Sequence, residues 1–374
     1  MIRRTVPQKT ISKETKLSGV GLHTGEHVNI TFKPAPADTG LVFVREDIKG
    51  DNLINAHIKY ISNTDRGTNL DNGAFRIHTC EHVLAAITGL EIDNCYICLD
   101  GPEVPIMDGS SKFFINALEE AKIVEQNVLR EEFFPSESIT YECEDSGSKI
   151  SIIPDDNYKV NTIVDYKTKV LGEQEASINH ISEFKKEISS ARTFSFLHEL
   201  ETLLENGLIK GGDLNNAIVY VDKPLAESNM DILKKAFNKD SISVTPNGIL
   251  DNLNLHYPNE AARHKLLDVI GDLALIGMKI RGKIIAEKPG HSINAKFAEK
   301  VSEVIKSDRK NTLPKIDFNK KSLMDSNQIM KVIPHRPPFL LIDEVLEISE
   351  SHVIGLRRVE TVSYTHLRAH ETLP

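Results

Sequence analysis

The sequence predicts a protein of two similar α+β domains. The order of its elements is the first reason, because strand-like segments with glycine and proline turns open each half and helical segments lie embedded among them. Length is the second reason, since 374 residues exceed one ordinary core and favour two or three domains. A content of 40% hydrophobic and 26% charged residues is typical of a soluble globular protein. Sequence identity between the two halves is too slight to indicate a repeat.

Shifts in composition divide the chain. A polar stretch around residues 127–138 separates the two main halves, and a second polar stretch follows Ser307. The predicted parts are domain I (1–127), domain II (128–306), a linker (307–323), a third segment (324–361) and a tail (362–374). The tail contains VSYTHLRAHET, which resembles a translated sequencing adapter. We therefore treat it as an artefact and exclude its histidines from the candidate metal ligands.

In domain I the local signals favour strands first and helices later. The alternation of Val28, Ile30 and Phe32 follows a glycine-rich turn and predicts a strand that Pro34 ends. LVFVRED and NCYICLD are typical of further strands, and HTCEHVLAAITGL and SKFFINALEEAKIV are typical of helices. Thr79 is the predicted N-cap of the first of these helices.

Domain II shows the same mixture of signals. Its predicted strands are SITYECED, SKISIIP, VNTIVDY and AIVYVD. Its predicted helices are SEFKKEIS, ARHKLLDVIGDL (262–273) and FAEKVSEVIKS, and KPGHSINAKF is a predicted loop.

Bulk properties exclude several classes of protein. The net charge is -9 and no cluster of Lys and Arg dominates a segment, which argues against a nucleic-acid partner. No run approaches the ~20 apolar residues that span a bilayer, and the amino terminus MIRRTVPQKT lacks the apolar region of a signal peptide. The four cysteines suggest no disulfide framework. We therefore expect a cytoplasmic protein without a transmembrane segment.

The helix predicted at 262–273 carries the first chemical signal. His264, Asp268 and Asp272 are spaced one turn apart, so they project from one face, opposite an apolar stripe. An imidazole and a carboxylate at this spacing can chelate one zinc ion, since both can lie roughly 2 Å from one point. Taken alone, a solvated helix face is the commoner explanation of such a stripe.

The pair Glu81 and His82 supplies a further ligand and a base. With His264 and Asp268, His82 gives two nitrogens and one oxygen and leaves a fourth position open, the pattern of a catalytic zinc site. Zinc acidifies water and polarises a carbonyl, which suits hydrolysis of an amide, and Glu81 beside the ligand is the candidate general base. The alternative is an ordinary helix N-terminus, where the helix dipole favours Glu.

Two more residues complete the predicted site. His291, in the predicted loop KPGHSINAKF, could give a proton to a leaving amine, and Gly290 before it would allow close approach of the backbone. The hydroxyl of Thr193, in ARTFSF, could donate to the oxyanion of a tetrahedral intermediate. From the residues alone, a surface loop for His291 and a helix cap for Thr193 are the commoner roles.

Six motifs occur in an order and at spacings similar to those of one family. They are SGVGLHTG, EHVLAAITGLEIDN, PEVPIMDGSS, ARTFSF, HKLLDVIGD and GHSINAKF. Together they resemble the UDP-3-O-acyl-N-acetylglucosamine deacetylases of lipid A biosynthesis over about Arg3–Lys306. The resemblance implies two domains, each a layer of helices on a β-sheet, with the active site between them. It also implies zinc-dependent hydrolysis of the 2-acetamido group of UDP-3-O-(3-hydroxyacyl)-N-acetylglucosamine, with release of acetate.

The resemblance assigns the chemical roles to residues of this sequence. Zinc would be held by His82, His264 and Asp268. Glu81 would be the general base, and His291 the protonated partner that stabilises the intermediate and protonates the amine. The sequence does not divide the proton transfers between Glu81 and His291, and iron could fill the same site.

The resemblance also assigns supporting roles. Thr193 would help to hold the oxyanion, Asp272 would orient the catalytic histidine, and Lys265 would lie near the substrate diphosphate. Apolar positions implied in contacts with the substrate or its acyl chain could equally be core; they are Leu22, Phe194, Leu200, Ile209 and Leu214.

The third segment resembles another family. Ile329–Arg358, with PHRPPFLLID, is similar to the first strands of the hot-dog-fold 3-hydroxyacyl-carrier-protein dehydratases, which some bacteria fuse to the deacetylase. The chain stops before the motif that carries the catalytic His of that family and before its partner Glu, and His335 is not that histidine. We therefore expect an incomplete hot-dog fragment without dehydratase activity, although a full-length relative could oligomerise through this part.

Two alternative functions stay open. A metallopeptidase would share the zinc site, but the chain contains no HExxH. A module that binds acyl-carrier protein, or dehydrates, through the C-terminal segment would place its activity beyond Leu323. Neither the acyl length nor the oligomeric state can be deduced from the sequence.

Overall fold

The computed structural model describes residues 1–199, 210–212, 214–222, 234, 241–250, 254–312, 316, 320–349 and 352–358. The chain divides into two compact units, Met1–Arg309 and Lys310–Pro374. The tail at 362–374, expected to be an artefact, lies outside the described residues. Over these ranges, no helix is long and apolar enough to cross a membrane.

The first unit alternates strands with helices, which confirms the predicted α+β class. Its first nine strands are β1 (Ile2–Ile11), β2 (Thr15–Val20), β3 (His27–Pro34), β4 (Leu41–Arg45), β5 (Leu53–Asn55), β6 (Ile61–Asn63), β7 (Asn69–Asp71), β8 (Arg76–Ile77) and β9 (Cys95–Leu99). The next nine are β10 (Ile123–Phe133), β11 (Ile139–Cys143), β12 (Ser148–Ile153), β13 (Tyr158–Asp165), β14 (Glu173–Ile178), β15 (Phe194–Phe196), β16 (Ile218–Tyr220), β17 (Lys279–Ile280) and β18 (Gly282–Glu287). Its α-helices are α1 (Glu81–Gly89), α2 (Lys112–Glu120), α3 (Phe184–Glu187), α4 (Glu260–Leu273) and α5 (His291–Thr312).

Two five-stranded sheets of the first unit share one topology. Their strand orders are β2-β3-β9-β4-β5 and β11-β12-β18-β13-β14. In each sheet the central strand runs antiparallel to the hairpin on one side and parallel to the strand on the other side. The two halves of the unit therefore repeat one sheet pattern, although their sequences show no clear repeat.

Alternation of side chains explains why β3 is a strand. Val28, Ile30 and Phe32 are fully buried, whereas the residues between them are half-buried, as the period of two along a strand requires. Phe32 meets Phe114 of α2 edge to face, with ring centroids 6.3 Å apart. Helix α2 therefore packs on this sheet, and α4 packs on strands β13 and β14 of the other.

The predicted boundary after residue 127 stays a prediction. This position falls within β10, which pairs antiparallel with β1 along most of its length. The amino-terminal strand therefore pairs with residues on both sides of the boundary, a non-local pairing that composition does not reveal.

Thr79 is not an N-cap, so this prediction was wrong. Helix α1 begins at Glu81, and Cys80 occupies the cap position without a side-chain hydrogen bond. Thr79 has a φ of 58°, which is uncommon for a β-branched residue, and its hydroxyl donates to Glu103 at 2.9 Å. The Thr hydroxyl thus stabilises a strained turn before the helix instead of capping the helix itself.

Helices α1 and α4 pack against each other at very short range. A Cβ atom on Gly271 of α4 would lie 2.1 Å from the carbonyl oxygen of Glu81 in α1. Because this neighbour is backbone, it cannot rotate out of the way. All nine residues of α1 are buried, including Glu81 and His82, so the helix is enclosed on every side.

The second unit is a small sheet with one helix. Strands β19 (Met324–Asp325), β20 (Glu344–Ile348) and β21 (Val353–Leu356) form an antiparallel sheet, and helix α6 spans Ser326–Val332. Asp325 and Gln328 form a reciprocal capping box at the start of α6. Ile329, Leu340 and Val345 make a small core. The hot-dog assignment of this segment stays a prediction.

We expect Gly271→Ala to lower the free energy of unfolding by about 1–3 kcal/mol, because the added methyl group would separate α1 from α4. Helix propensity alone would favour Ala by roughly 1 kcal/mol, so the steric cost decides the sign. Thermal unfolding measures the change. Gly290→Ala is the matched control, since a Cβ there meets no atom within 4 Å. Equal melting temperatures for the two variants would contradict this account of the crossing.

Candidate metal centre

The crossing of α1 and α4 brings the three predicted metal ligands together. His82 projects from α1, and His264 and Asp268 project from α4 one turn apart. One ligand atom from each lies within 4.8 Å of the other two. The Nε2 atoms of His82 and His264 lie 3.8 Å and 3.4 Å from Asp268 Oδ1. All three residues are buried, so a solvated helix face is excluded as the explanation of this stripe.

The donor set fits a divalent metal ion. Oδ1 of Asp268 is buried and has no hydrogen-bond partner, whereas Oδ2 accepts a hydrogen bond from Lys265 Nζ at 2.9 Å. Buried carboxylate oxygens are rarely left unpaired, so the orphaned atom is suited to a cation. His264 donates from Nδ1 to the carbonyl of Ala191 at 3.1 Å, which leaves the lone pair of Nε2 directed at the same point.

Electrostatics keep the three groups in the forms that bind metals. Burial and the neighbouring His264 lower the pKa of His82 to about 3, and burial also lowers the pKa of His264. Both imidazoles are therefore neutral at pH 7. Burial opposes the charge of Asp268, but Lys265 and His264 outweigh it and hold the pKa of that carboxyl well below its usual range.

Glu81 lies beside this group with one oxygen held. Its Oε2 accepts a hydrogen bond from the backbone N–H of Thr68 at 2.9 Å, and its Oε1 lies 4.0 Å from His291 Nε2. Burial raises the pKa of Glu81 to about 7, while the nearby histidine opposes this shift. A carboxyl group with this pKa can accept and release a proton near neutral pH.

His291 is not in a loop, so that prediction was wrong. It is the first residue of α5, and a Cβ on the preceding Gly290 would meet no atom within 4 Å, so close backbone approach does not explain that glycine. His291 Nδ1 lies 2.9 Å from Asp272 Oδ2. Burial lowers the pKa of His291, but Asp272 outweighs it and the net pKa rises to about 9. A cationic imidazole therefore faces Glu81 and Asp268.

Three other predicted site residues are Phe194, Lys265 and Thr193. Phe194 meets His264 edge to face at 6.3 Å between ring centroids, and Lys265 Nζ lies 5.6 Å from the Phe194 ring centroid. Thr193 precedes strand β15 and caps no helix; its N–H donates to Gly109 and its carbonyl accepts from Ile218.

The predicted substrate contacts fall into three groups. Leu22 is half-buried and its carbonyl accepts from Gly211 N–H, and Leu214 is fully buried. Leu200 and Ile209 lie outside the described residues. The roles of these four positions stay predictions.

Sequence reasoning missed three buried polar residues around the centre. Thr68 bonds Glu81 and Asp272, and Asn294 donates from Nδ2 to Asp272 Oδ2 at 2.7 Å. Glu103 accepts hydrogen bonds from Thr79 and from the N–H groups of the turn at residues 23–24. Only Asn294 carried a signal, since it lies three residues after His291 on one helix face.

The sequence is similar to that of a known family of enzymes. The sequence profile of the family described as UDP-3-O-acyl N-acetylglycosamine deacetylase matches residues 8–233 and 226–303. A bifunctional enzyme LpxC/FabZ of Porphyromonas gingivalis is 42% identical over 352 residues, which cover 94% of this chain and 76% of that protein. A UDP-3-O-acyl-N-acetylglucosamine deacetylase of Myxococcus xanthus is 36% identical over 296 residues, 79% of this chain and 86% of that protein. The chain therefore belongs to the UDP-3-O-acyl-N-acetylglucosamine deacetylase family of hydrolases.

Proposed function

We propose that this protein hydrolyses the 2-acetamido group of UDP-3-O-(3-hydroxyacyl)-N-acetylglucosamine in a zinc-dependent reaction of lipid A biosynthesis. The observation that carries the proposal is the orphaned Oδ1 of Asp268, which lies between two neutral histidines, while the cationic imidazole of His291 faces Oδ2 of the same carboxylate. Family membership supports the substrate, because relatives bear the name of this activity.

Zinc would be held by His82, His264 and Asp268. Two imidazole nitrogens and one carboxylate oxygen are ligands that zinc accepts in catalytic sites, where a fourth position stays open. When bound, zinc acidifies water and polarises a carbonyl oxygen. Ala191 and Lys265 support the ligands, because the carbonyl fixes the ring of His264 and the ammonium group fixes one oxygen of Asp268.

Glu81 would act as the general base. Ionised, it removes a proton from the attacking water, and the new C–O bond converts the acetamide carbon to a tetrahedral centre. Thr68 holds the Oε2 atom of Glu81, so Oε1, which faces His291, is the atom that is left to take the proton. The hydroxyl of Thr193 would donate to the oxyanion that forms on the former carbonyl oxygen.

His291 would stabilise the oxyanion and protonate the leaving amine. Collapse of the intermediate breaks the C–N bond, the nitrogen takes a proton, and acetate and the 2-amino sugar leave. Asp272 keeps the imidazole cationic and fixes its ring through Nδ1, so that Nε2 faces the site. Since Glu81 Oε1 lies 4.0 Å from His291 Nε2, the proton taken from water can return through either group.

The remaining residues would bind the rest of the substrate. Lys265 is half-buried beside Phe194, and its pKa stays raised because Asp268 outweighs the effect of burial, so it is a cation suited to a diphosphate. Leu22, Phe194 and Leu214 would contact the substrate or its acyl chain. Leu200 and Ile209, outside the described residues, would extend the same passage.

A second module is proposed for the C-terminal unit. Bifunctional LpxC/FabZ relatives match 94% of this chain, a range that must extend into this unit. We propose that residues 324–358 correspond to the beginning of the hot-dog dehydratase part. The acyl-carrier-protein alternative would place binding here and not at the metal centre.

We expect the purified protein to bind about one zinc ion per chain and to lose it on chelation. Asp268→Ala should weaken zinc binding by at least about 100-fold, because loss of supporting residues alone costs up to that factor. Metal content after dialysis against zinc buffers measures the change. His27→Ala removes an exposed histidine and should bind zinc as the unmodified protein does. Equal affinity in both variants would show that the ion lies elsewhere.

We expect release of free amine from UDP-3-O-(3-hydroxyacyl)-N-acetylglucosamine that stops on chelation and returns with zinc. Glu81→Gln should lower kcat by about 10²–10⁴-fold with zinc still bound, because the amide cannot accept the proton. Exposed Glu26→Gln is the control. Undiminished turnover by residues 1–309 would exclude the C-terminal unit as its source. A zinc-loaded protein without turnover would disprove the proposed reaction.

The pH profile of kcat/KM should be bell-shaped. Activity requires ionised Glu81, whose pKa is about 7, and protonated His291, whose pKa is about 9, so it rises through the first value and falls through the second. The positive charge of a bound metal moves both limbs to lower pH. Asp272→Asn should move the alkaline limb further down, because it removes the carboxylate that raises the pKa of His291. An unmoved alkaline limb would contradict the assignment of His291.

A further inference from the structure

The backbone N–H, the carbonyl and the hydroxyl of Thr68 all form hydrogen bonds within the candidate site. It lies immediately before β7 and is almost completely buried. Its N–H donates to Glu81 Oε2 at 2.9 Å, and its hydroxyl donates to Asp272 Oδ1 at 2.5 Å. Its carbonyl accepts from both the backbone N–H and the thiol of Cys80, each at 3.1 Å. One residue therefore contacts the carboxylates of two different helices.

These bonds orient the two groups that move protons. The hydroxyl holds one oxygen of Asp272, while the other oxygen faces His291 Nδ1 at 2.9 Å and Asn294 Nδ2 at 2.7 Å. With both oxygens held, the carboxylate plane is fixed, and so is the imidazole it contacts. The amide of Thr68 meanwhile leaves Glu81 Oε1 as the oxygen nearer to His291.

Gly67, the residue before Thr68, leaves space for the second oxygen of Glu81. Gly67 has a φ of 155°, and a Cβ there would lie 3.1 Å from Glu81 Oε1. A side chain at this position would press on the free oxygen of the carboxyl group. Gly67 thus leaves space around Oε1 of Glu81, and the N–H of Thr68 binds Oε2.

We propose that Thr68 is a positioning residue for the deacetylation. Its amide fixes the base Glu81, and its hydroxyl fixes Asp272 and thereby His291, whose Nδ1 also lies 3.3 Å from the same hydroxyl. The inference rests on the proposed function of Glu81 and His291. It goes beyond that function because it makes the relative position of base and acid depend on a residue that is neither a proposed metal ligand nor a proposed proton carrier.

Substitutions at Thr68 separate its hydroxyl from its amide. Thr68→Val keeps the shape of the side chain and the N–H bond to Glu81 but removes the donor to Asp272. Thr68→Ser keeps the donor and loses only a methyl group. The matched control is Thr162→Val, because Thr162 is fully buried and its hydroxyl has no partner.

The test uses the full chain loaded with zinc and measures amine release. We expect Thr68→Val to lower kcat by about 10–100-fold, the usual effect of losing a residue that orients a catalytic group, with KM and zinc content changed less than about twofold. Thr68→Ser should retain kcat within about threefold. In an Asp272→Asn background, Thr68→Val should have a smaller further effect than in the unmodified chain, because the contact through Asp272 is already weakened and only the direct contact of the hydroxyl with His291 Nδ1, at 3.3 Å, is lost.

A second readout does not depend on turnover. In the metal-free protein, the proton on His291 Nδ1 should give a shifted nuclear magnetic resonance signal in Thr68→Val, with the original position kept in Thr68→Ser and in Thr162→Val. If Thr68→Val does not fold, Thr68→Ala repeats both measurements with the same expectations.

The outcomes distinguish a failure of this inference from a failure of the proposed function on which it rests. Absence of turnover by the unmodified zinc-loaded chain overturns the proposed function. Turnover of Thr68→Val within threefold of the unmodified chain overturns only the role of Thr68. Equal loss in Thr68→Ser and Thr68→Val, full additivity with Asp272→Asn, or an unmoved proton signal overturns the proposed route through Asp272.

Discussion

The close approach of α1 and α4 is the constraint on which the candidate metal centre depends. Gly271 allows the two backbones to meet at the carbonyl of Glu81. This contact fixes the position of His82 along α1 relative to His264 and Asp268 on α4. A larger residue would separate the helices by more than the tolerance of a metal site, where ligand distances are fixed within a few tenths of an ångström. A single backbone contact therefore couples the packing of two helices to the geometry of the candidate ligands.

The buried centre contains one more carboxyl group than cationic side chains, an excess of negative charge that a bound cation would compensate. Glu81, Asp268 and Asp272 are carboxyl groups, and only Lys265 and His291 face them as cations among the described residues. Burial and the neighbouring Asp272 and Asp268 all raise the pKa of Glu81 to about 7, so in the metal-free chain a proton on that residue relieves the excess below this pH. Binding of a divalent ion would release that proton and restore the base.

Helical periodicity brought two candidate ligands, His264 and Asp268, onto one face, because it depends only on spacing along one element; the assignment of His82 and of the metal rested on the resemblance to the family. His264, Asp268 and Asp272 share a face in α4 whatever the rest of the chain does, and the prediction of this helix is confirmed. The loop assigned to His291 failed because Pro289 and Gly290 resemble a loop, yet they only precede the first turn of α5. Thr79 failed because its preference for caps was outweighed by a hydrogen bond to Glu103, which lies 24 residues away.

Thr68 could not be identified as a site residue from the sequence. Its hydroxyl contacts Asp272 across 204 residues of chain, and its immediate sequence, DRGTNL, resembles an ordinary polar turn. No local pattern distinguishes a threonine that joins two carboxylates from one that faces water, since the distinction lies in burial and in the partner. Two of the three candidate ligands could be predicted from one helix because a metal needs donors at fixed spacing. The residues that hold those donors in place come from any element that the fold brings near, and only the folded structure identifies them.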